Sequence, residues 1–597
     1  MALVSAALPG PWWTPLVYEY DRELPEGIRV KVPLGSSFRV GLTISSTPPA
    51  GVKNLKKIAS VIDEKPVLPQ ELWRTIRWFG DTWFAGPGLA AKTLLPSKFL
   101  SGEPLAAAPE QPTVDGKFSV SYVYEANDSA RSDRYASLLE QSPDGSLVLF
   151  PEVAQAVAFW KRLPDELKKD ALLWPASNAA KQWQCWQAAL SGQYRFIVGS
   201  QGASFAPLPN LSRIMVDDEC SGAWRTQKYP FFHCRSLLAA RAKFANAEFV
   251  LGGRMPSSKA YLQCGAGVDD GGARDRLVFV DLHDSSAMAV EAVKDPLKIS
   301  WPLVRETKKV RAERGWAFWL LDRKGYAGEI FCEDCGSSVR CPHCGGTMRW
   351  LAKSGRLSCL ECGARLPIPE KCPSCGGRFL EGVRPGLAAL AEKASAALRH
   401  ECGKVLCFDG EGVKLPSAGT LLKEHPEGAL LVGTRKLLSL ADVLAPSLIG
   451  WLDADFEARG EDYDARFRAY SMLLESLWRG GCPEKRVVVV QSRRPGKQWQ
   501  SGLERGWRHF WSAELRERRE WELPPYVPMV KITMPQSAVQ LAAELDKLGL
   551  EYWASDENER EVWVRTKRFE QLSNLLAPYF DIKNARKGFP AVSLNLD

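Results

Sequence analysis

A chain of 597 residues is too long for one hydrophobic core, and at the usual domain size it divides into about three to five domains. Hydrophobic residues at 45% and charged residues at 25% are ordinary globular values, and no apolar run approaches the roughly 18 residues of a membrane-spanning helix, which excludes a helical membrane protein. The formal charge of +8 counts every cysteine as neutral, so overall charge is weak evidence for a nucleic-acid partner.

The first residues, MALVSAALPG, place no Lys or Arg before their apolar run, and Pro9 breaks that run early. They do not read as a secretory signal, and the expected location is cytoplasmic. In a reducing compartment regularly spaced cysteines point to metal ligation rather than disulfides, and eight of the 15 are so spaced. Cys185, Cys220, Cys234, Cys264, Cys402, Cys407 and Cys482 are scattered and read as small buried hydrophobes.

From Gly27 to Ile44 two alternating apolar segments flank a Gly-Ser turn, which predicts a hairpin in a small β-rich unit, and a helical pattern follows around Leu72 to Trp83. Gly102 to Gly116, rich in Pro and Ala without periodicity, reads as a linker. Between Ser119 and about Ser300 the apolar runs SLVLFP, YRFIVGS, LSRIMVDDE, AEFVLGG and RLVFVDL alternate with helical or loop stretches, as in a parallel α/β sheet. Val304 to Arg314 then sets Arg305, Lys308, Lys309, Arg311 and Arg314 against Glu306 and Glu313.

WAFWLLD at Trp316 reads as the first strand of a second α/β lobe, whose rhythm resumes after a cysteine block in KVLCFDG, GALLVGT, SLIGWLDAD and KRVVVVQS. Arg493, Arg494, Lys497, Arg505 and Arg508 are interleaved with Trp499, Trp507 and Trp511. Such mixtures suit phosphates and unstacked bases, but a solvated face over packed helix aromatics explains either basic stretch equally well. From Pro524 onward strands and helices mix in a small α+β unit.

The cysteine block holds four Cys-x-x-Cys pairs: Cys332/Cys335, Cys341/Cys344, Cys359/Cys362 and Cys372/Cys375. Two intervening residues let a tight turn place both sulfurs on one tetrahedral Zn2+ at about 2.3 Å, and the Gly after most pairs accepts unusual backbone angles. Four pairs make two closed structural sites, with no open position for water or substrate. Disulfides, a redox dithiol or an iron–sulfur cluster are the weaker alternatives, and eight thiolates leave His343 outside the ligand set.

This order of features, with VPLG at Val32, FAPLPNL at Phe205, IMVDDE at Ile214, LVGT at Leu431, GWLDAD at Gly450, LPIPEKCPSCGG in the cysteine block and LPPY at Leu523, resembles the bacterial replication-restart helicase family of primosomal protein N′ (PriA) over nearly the whole chain. The resemblance implies a protein that recognises abandoned forks through a nascent-strand 3′ end and branched DNA, then helps assemble the primosome that reloads the replicative helicase. By the family's pattern the outer pairs (Cys332, Cys335, Cys372, Cys375) share one zinc and the inner pairs (Cys341, Cys344, Cys359, Cys362) the other. The zinc module would serve as a partner and DNA contact surface.

The chain also departs from the family. An ATP-driven motor needs a Gly-rich loop around the phosphates, with a Lys and a Ser or Thr for phosphate and Mg2+, and no G-x-x-x-x-G-K-[ST] occurs. In its place stands EANDSARSDRY from Glu125 to Tyr135, with Arg131 and Ser132 at the Lys and Thr positions, both glycines gone, and Glu125 and Asp128 adding negative charge. The Mg2+-binding acidic motif survives partly as Asp217, Asp218, Glu219 and Cys220, which also reads as a strand-end cluster capping the next element. The coupling segment has become GGRMPSS from Gly252 to Ser258. In the second lobe Arg479 remains while the family's final arginine position is Cys482. The short linker leaves no room for a winged-helix domain of about 60 residues. In LVYEYD the family's acidic contact to the 3′ terminus falls on Val17, while Tyr18 and Tyr20 are candidates to stack bases or to fill the small core.

The expected fold is therefore α/β: two RecA-like helicase lobes with a double zinc-ribbon insertion, a small β-rich N-terminal domain and a small α+β C-terminal domain. The expected boundaries are 1–105 for a 3′-DNA-end-binding-like domain, 106–118 for the linker and 119–300 for the first lobe with degenerate nucleotide motifs. The second lobe takes 301–330 and 377–520, the two-zinc module 331–376 and the C-terminal domain 521–597. The expected function is DNA binding at forked or single-strand-containing DNA and primosome assembly with helicase-loading partners, two Zn2+ as cofactors, and no ATP hydrolysis. Two other readings stay open: an active ATP-dependent helicase with an atypical pocket, and a zinc-dependent interaction scaffold without fork recognition.

Overall fold

The computed structural model describes the chain except residues 1, 47–54, 106–115, 143–144, 177, 265–272, 291–297, 322–328, 333, 336, 346–347, 352–355, 360–363, 379, 384–386, 399–402, 409–414, 456, 460–461, 482, 494–497 and 556–557. The chain divides into two compact units, one made of 1–125, 130–267 and 515–597, the other of 126–129 and 268–514. Most of the expected linker, 106–115, lies outside the described residues.

In the first unit, strands β1 (Ala2–Ala7), β2 (Leu16–Tyr20), β3 (Arg29–Leu34), β4 (Ser37–Thr43) and β5 (Ser60–Val61) form a sheet in the order β2-β1-β4-β3-β5. The expected hairpin is β3–β4, where Leu34 faces Ser37 and Gly35 turns the chain at φ +61°, a left-handed angle that glycine adopts without a Cβ clash. Alternation sends Val30 and Val32 inward against Val4, Ala6 and Tyr18. The expected helix spans Gln70–Thr82 and buries Leu72, Ile76 and Phe79, spaced to share one face.

The first lobe follows as β6 (Ser119–Tyr124), β7 (Gly145–Leu149), β8 (Ala171–Leu173), β9 (Phe196–Gly199), β10 (Leu211–Val216) and β11 (Glu248–Gly253), in the order β6-β11-β10-β7-β9-β8. Every pairing in it is parallel, and β7 is buried along its whole length, as the continuous apolar runs require.

The boundary expected at residue 300 is displaced. RLVFVDL forms β12 (Leu277–Asp281), which is not a first-lobe strand: it pairs in parallel with β24 (Val487–Ser492) of the second unit. A short apolar run carries no label for the sheet it joins, and β12 finds its backbone partners at the exposed edge of β24. After the small ladder of β13 (Met288–Val290) with β14 (Ile299–Ser300) comes β15 (Ala317–Leu320). In chain order β12 precedes β15 in this lobe, so β15 is not its first strand; in space the sheet runs β12-β24-β23-β15-β22-β21, with β21 (Val405–Phe408), β22 (Leu430–Gly433) and β23 (Leu448–Trp451).

The cysteine module is an insertion after β15 whose two ends are clamped together by β16 (Glu329–Cys332) and β20 (Leu380–Val383) in antiparallel pairing. The module therefore reaches beyond the expected 331–376, because this ladder satisfies the backbone where the insertion leaves the lobe. Inside it β17 (Met348–Leu351), β18 (Arg356–Cys359) and β19 (Arg365–Pro367) form a small antiparallel sheet.

Back in the first unit, the C-terminal domain runs β25 (Met529–Thr533), helix Val539–Lys547, β26 (Glu551–Ser555), β27 (Asn558–Arg565), helix Phe569–Leu576 and β28 (Ala591–Asn595). The sheet order is β26-β27-β25-β28 with antiparallel pairing throughout. One face, carrying Val530, Ile532, Val562 and Val564, is buried together with Leu541, Leu545, Leu572 and Leu576 of the two helices. The fold class expected from the sequence is the one observed: two parallel α/β lobes, a β-rich N-terminal domain, a cysteine insertion and an α+β C-terminal domain.

Candidate functional site

Ligands of open parallel sheets sit beyond the carboxyl ends of the strands. In the first lobe β10 ends at Val216 and delivers Asp217, Asp218 and Glu219 to that edge, Asp218 in the left-handed region at φ +40°. β6 ends at Tyr124 and leads through Glu125 into the helix Asp128–Glu140, which carries Arg131, Ser132 and Tyr135. Strand, loop and helix are thus placed as a phosphate-binding loop would be.

The side chains fill that place themselves. Arg131, 1% exposed, donates from Nε and Nη2 to the two carboxylate oxygens of Asp217, with Nη2 to Oδ2 at 3.3 Å, and from Nη1 to the carbonyl of Glu125 at 2.7 Å. Tyr135 donates its hydroxyl to Asp217 Oδ1 at 3.1 Å, and burial, with Asp217 beside it, pushes that phenol far above its usual range. Ser132 is half-buried on the next helical position. Arg254, from the altered GGRMPSS segment, donates to Asp218 Oδ2 at 2.6 Å. Arg235 pairs with Glu219 Oε2, and Glu219 Oε1 accepts the backbone N–H of Ser257 at 2.6 Å.

Each of the three acids therefore holds its own guanidinium. The strand-end reading is corrected in its detail: the cluster binds arginines, rather than serving merely to cap a following element. Arg235, Arg254 and Tyr135 are the residues that sequence reasoning missed, since no spacing links them to Asp217–Glu219; an unusual Arg in the coupling segment was the available signal. Arg235 also pairs through Nη2 with Asp597, just past β28. Burial alone would raise the Asp597 carboxyl, but Arg235, Lys259 and His233 outweigh it and hold it down at about 2.

In the second unit Arg479 is buried, with Nε and Nη2 on Asp442 at 3.0 and 2.9 Å and Nη1 on Glu475 at 2.7 Å. Cys482 lies outside the described residues.

The described cysteines of the block fall into two groups. Cys332, Cys335, Cys372 and Cys375 form one group, with Sγ separations of 3.5 Å for Cys332/Cys375 and 3.7 Å for Cys335/Cys372. Cys341, Cys344 and Cys359 form a second, with 3.4 Å between Cys344 and Cys359; Cys362 lies outside the described residues. Sulfurs arranged tetrahedrally about 2.3 Å from one ion are about 3.8 Å apart, so both groups are of a size to hold a metal ion.

The candidate DNA contacts are redistributed. Tyr18 is 3% exposed in the N-terminal core, its hydroxyl donating to the Pro33 carbonyl at 3.3 Å, and burial lifts its pKa to about 12; it is not a base-stacking surface. Tyr20, half-buried, packs against the same core. Trp499, Trp507 and Trp511 are buried, Trp511 stacked on Phe467 at 5.3 Å, so the aromatic half of that stretch fills the second unit's interior. Aromatics at helical spacing went inward, as apolar surface does when a core is within reach. Arg493 sits near Asp453 at 3.9 Å and donates its backbone N–H to Asp455, while Arg494 and Lys497 lie outside the described residues. The other basic stretch is open to solvent: Arg305 and Lys309 are each 70% exposed on the helix Trp301–Ala312.

A family model described as the 3′DNA-binding domain (3′BD) of PriA matches residues 5–96, the β-rich domain with its helix. Curated relatives match along much more of the chain. The replication restart protein PriA of Bacillus subtilis is 24% identical over 73% of this chain and 56% of its own length. Those of Treponema pallidum and Rickettsia conorii are each 23% identical, over 85% and 90% of this chain and 82% and 88% of theirs. Among solved structures, the DUF1998 helicase MrfA bound to DNA and AMPPNP is 9% identical over 75% of this chain and 53% of its own, at a TM-score of 0.34. Domain match and relatives agree: residues 5–96 match the PriA 3′DNA-binding domain, and most of the chain is similar to PriA replication-restart proteins.

Proposed function

We propose that this protein binds forked or single-strand-containing DNA at stalled replication sites and helps assemble the primosome there without hydrolysing ATP. The observation that carries the ATP-independent part is the pairing of Asp217, Asp218 and Glu219 with Arg131, Arg254 and Arg235. A motor needs one of these acids to hold Mg2+ and another to orient the attacking water, and it needs backbone N–H groups around the phosphates. Here Arg131 lies where the phosphate-gripping lysine and the metal would converge. An acid already neutralised by a buried guanidinium has little to offer a cation, so the residues present do not fit Mg2+ and a nucleotide. The lobes then serve as a scaffold for the DNA-end-binding domain, the cysteine module and the C-terminal domain.

The two cysteine groups fit Zn2+, whose closed four-thiolate sites are structural. The fork-binding part rests on the family and on the matched 3′DNA-binding domain. The test is binding of the purified protein to a labelled fork and to a blunt duplex of equal length, together with phosphate release in the presence of the fork. Preference for the fork with no DNA-stimulated phosphate release is the expected result. Equal affinity for both DNAs would remove fork recognition, and fork-stimulated phosphate release by protein purified free of host helicases would restore the motor.

A further inference from the structure

The C-terminal sheet is antiparallel and packs its helices on one face only, so residues alternate between a buried row and an outer row. On the outer face Trp553, Trp563, Lys531 and Ser593 stand directly opposite one another across all four strands, at successive strand spacings of about 4.8 Å. Trp553 is 40% exposed, and Lys531 Nζ lies 5.3 Å from the centre of the Trp563 ring. One register step along, Arg565 faces Glu551 and donates to the carbonyl of Trp521, itself 65% exposed.

Tryptophan is costly to leave in water. Among the described residues three tryptophans are exposed, and two of them, Trp521 and Trp553, belong to this domain or its threshold. Besides the Trp521 carbonyl on Arg565, the cations beside them pair with carboxylates: Lys531 with Glu561 at 3.0 Å, and Arg565 with Glu551 and Glu522, which are 57% and 65% exposed. Glu551 and Glu522 are open to solvent, and ion pairs of such carboxylates contribute little, so a phosphate can take the place of either at small cost.

We propose that this outer face is a stacking platform for single-stranded nucleic acid, with Trp553 and Trp563 receiving unstacked bases and Lys531 and Arg565 the neighbouring phosphates. The inference rests on the DNA-binding reading above and adds to it a second contact surface of defined strand type. Flat aromatic faces beside cations accept bases of any sequence, but only bases freed from a duplex stack. The near balance of Lys531 and Arg565 against Glu551 and Glu561 makes stacking, rather than net charge, the main attraction.

The experiment uses the full chain and a fluorescently labelled oligothymidylate, with a blunt duplex of equal length as the control. Trp553→Ala and Trp563→Ala should each weaken oligothymidylate binding about five-fold or more, leave duplex binding unchanged, and leave the salt dependence of binding nearly as in the wild type. Trp563→Phe should retain most of the affinity, since the ring face is kept. Wild-type affinity for oligothymidylate in both alanine variants would overturn the platform, as would equal losses on single strand and duplex. Failure of the wild-type protein itself to bind oligothymidylate would remove the DNA-binding reading together with the platform.

Discussion

Nη2 of Arg131 lies 3.3 Å from Oδ2 of Asp217, and both side chains are almost wholly withdrawn from water, at 1% and 4% exposure. Such a pair is not a stabiliser in itself, because the desolvation of both charges offsets their attraction; what it does is make each partner indispensable to the other. Asp217 thereby becomes part of the lobe's interior while standing at the edge where a ligand acid would be exposed.

Breaking the pair from one side should be severe. Arg131→Met or Asp217→Asn alone leaves a buried charge uncompensated and should lower the stability of the first unit by about 3 to 5 kcal/mol. The double variant removes both charges and keeps an acceptor for Tyr135, so it should recover most of that loss. Urea titration of the three variants checks this. Equal midpoints for the singles and the wild type would mean that the pair does not form.

Much of the architecture could be read from the residues because each element announced itself locally: alternation for β3 and β4, continuous apolar runs for β7 and β22, Cys-x-x-Cys for the metal module. The errors came where local signals do not name a partner. RLVFVDL is the same kind of strand in either lobe, and only its pairing with Val487–Ser492 assigns it. Trp499 and Trp511 among arginines satisfy the composition of a nucleic-acid surface, but burial decides between surface and core, and it sent them inward. Conversely Trp553 and Trp563 drew no notice, because their meaning lies in cross-strand register, a property of pairing rather than of sequence.

The cysteine module should hold two zinc ions per chain, and elemental analysis of protein purified without added metal should find about two Zn and negligible iron. Cys341→Ser should cost one ion and loosen the module around Met348 and Leu357, which share its small core. The six-stranded sheets should be unaffected, since metal binding supplies most of the stability of so small an insertion. Chelation followed by limited proteolysis should cut within the module first; simultaneous cleavage throughout the lobes would count against that separation.

Asp597 makes stability depend on acid in a defined direction. Its folded pKa of about 2 lies below an ordinary carboxylate value near 4, chiefly because Arg235 outweighs the cost of burial. A depressed acid stabilises the fold above its unfolded pKa, and that contribution fades as pH falls from about 4 through about 2. The shift corresponds to about 2 to 3 kcal/mol. Asp597→Asn should therefore be less stable than wild type by a constant margin between pH 7 and pH 5, with the two converging below pH 4. A margin that widened on acidification would contradict the ion pair with Arg235.

Restoring the missing loop chemistry should not restore a motor. Glu125→Gly, Ala130→Gly and Arg131→Lys together return the glycines and the lysine to their places, and weak nucleotide binding should follow. Lysine, however, cannot reproduce the two-pronged grip of Arg131 on Asp217, so the triple variant should also be less stable than wild type. Asp218 would remain on Arg254 and Glu219 on Arg235, so the acids needed for Mg2+ and for water would still be engaged. Groups that act as a unit in catalysis contribute little when returned one at a time. The expected outcome is a nucleotide-dependent rise in melting temperature without DNA-stimulated phosphate release, in protein purified free of host helicases. Turnover near 1 s⁻¹, the low end of typical enzymes, in either the triple variant or the wild type would mean that the arginines release their acids when nucleotide arrives.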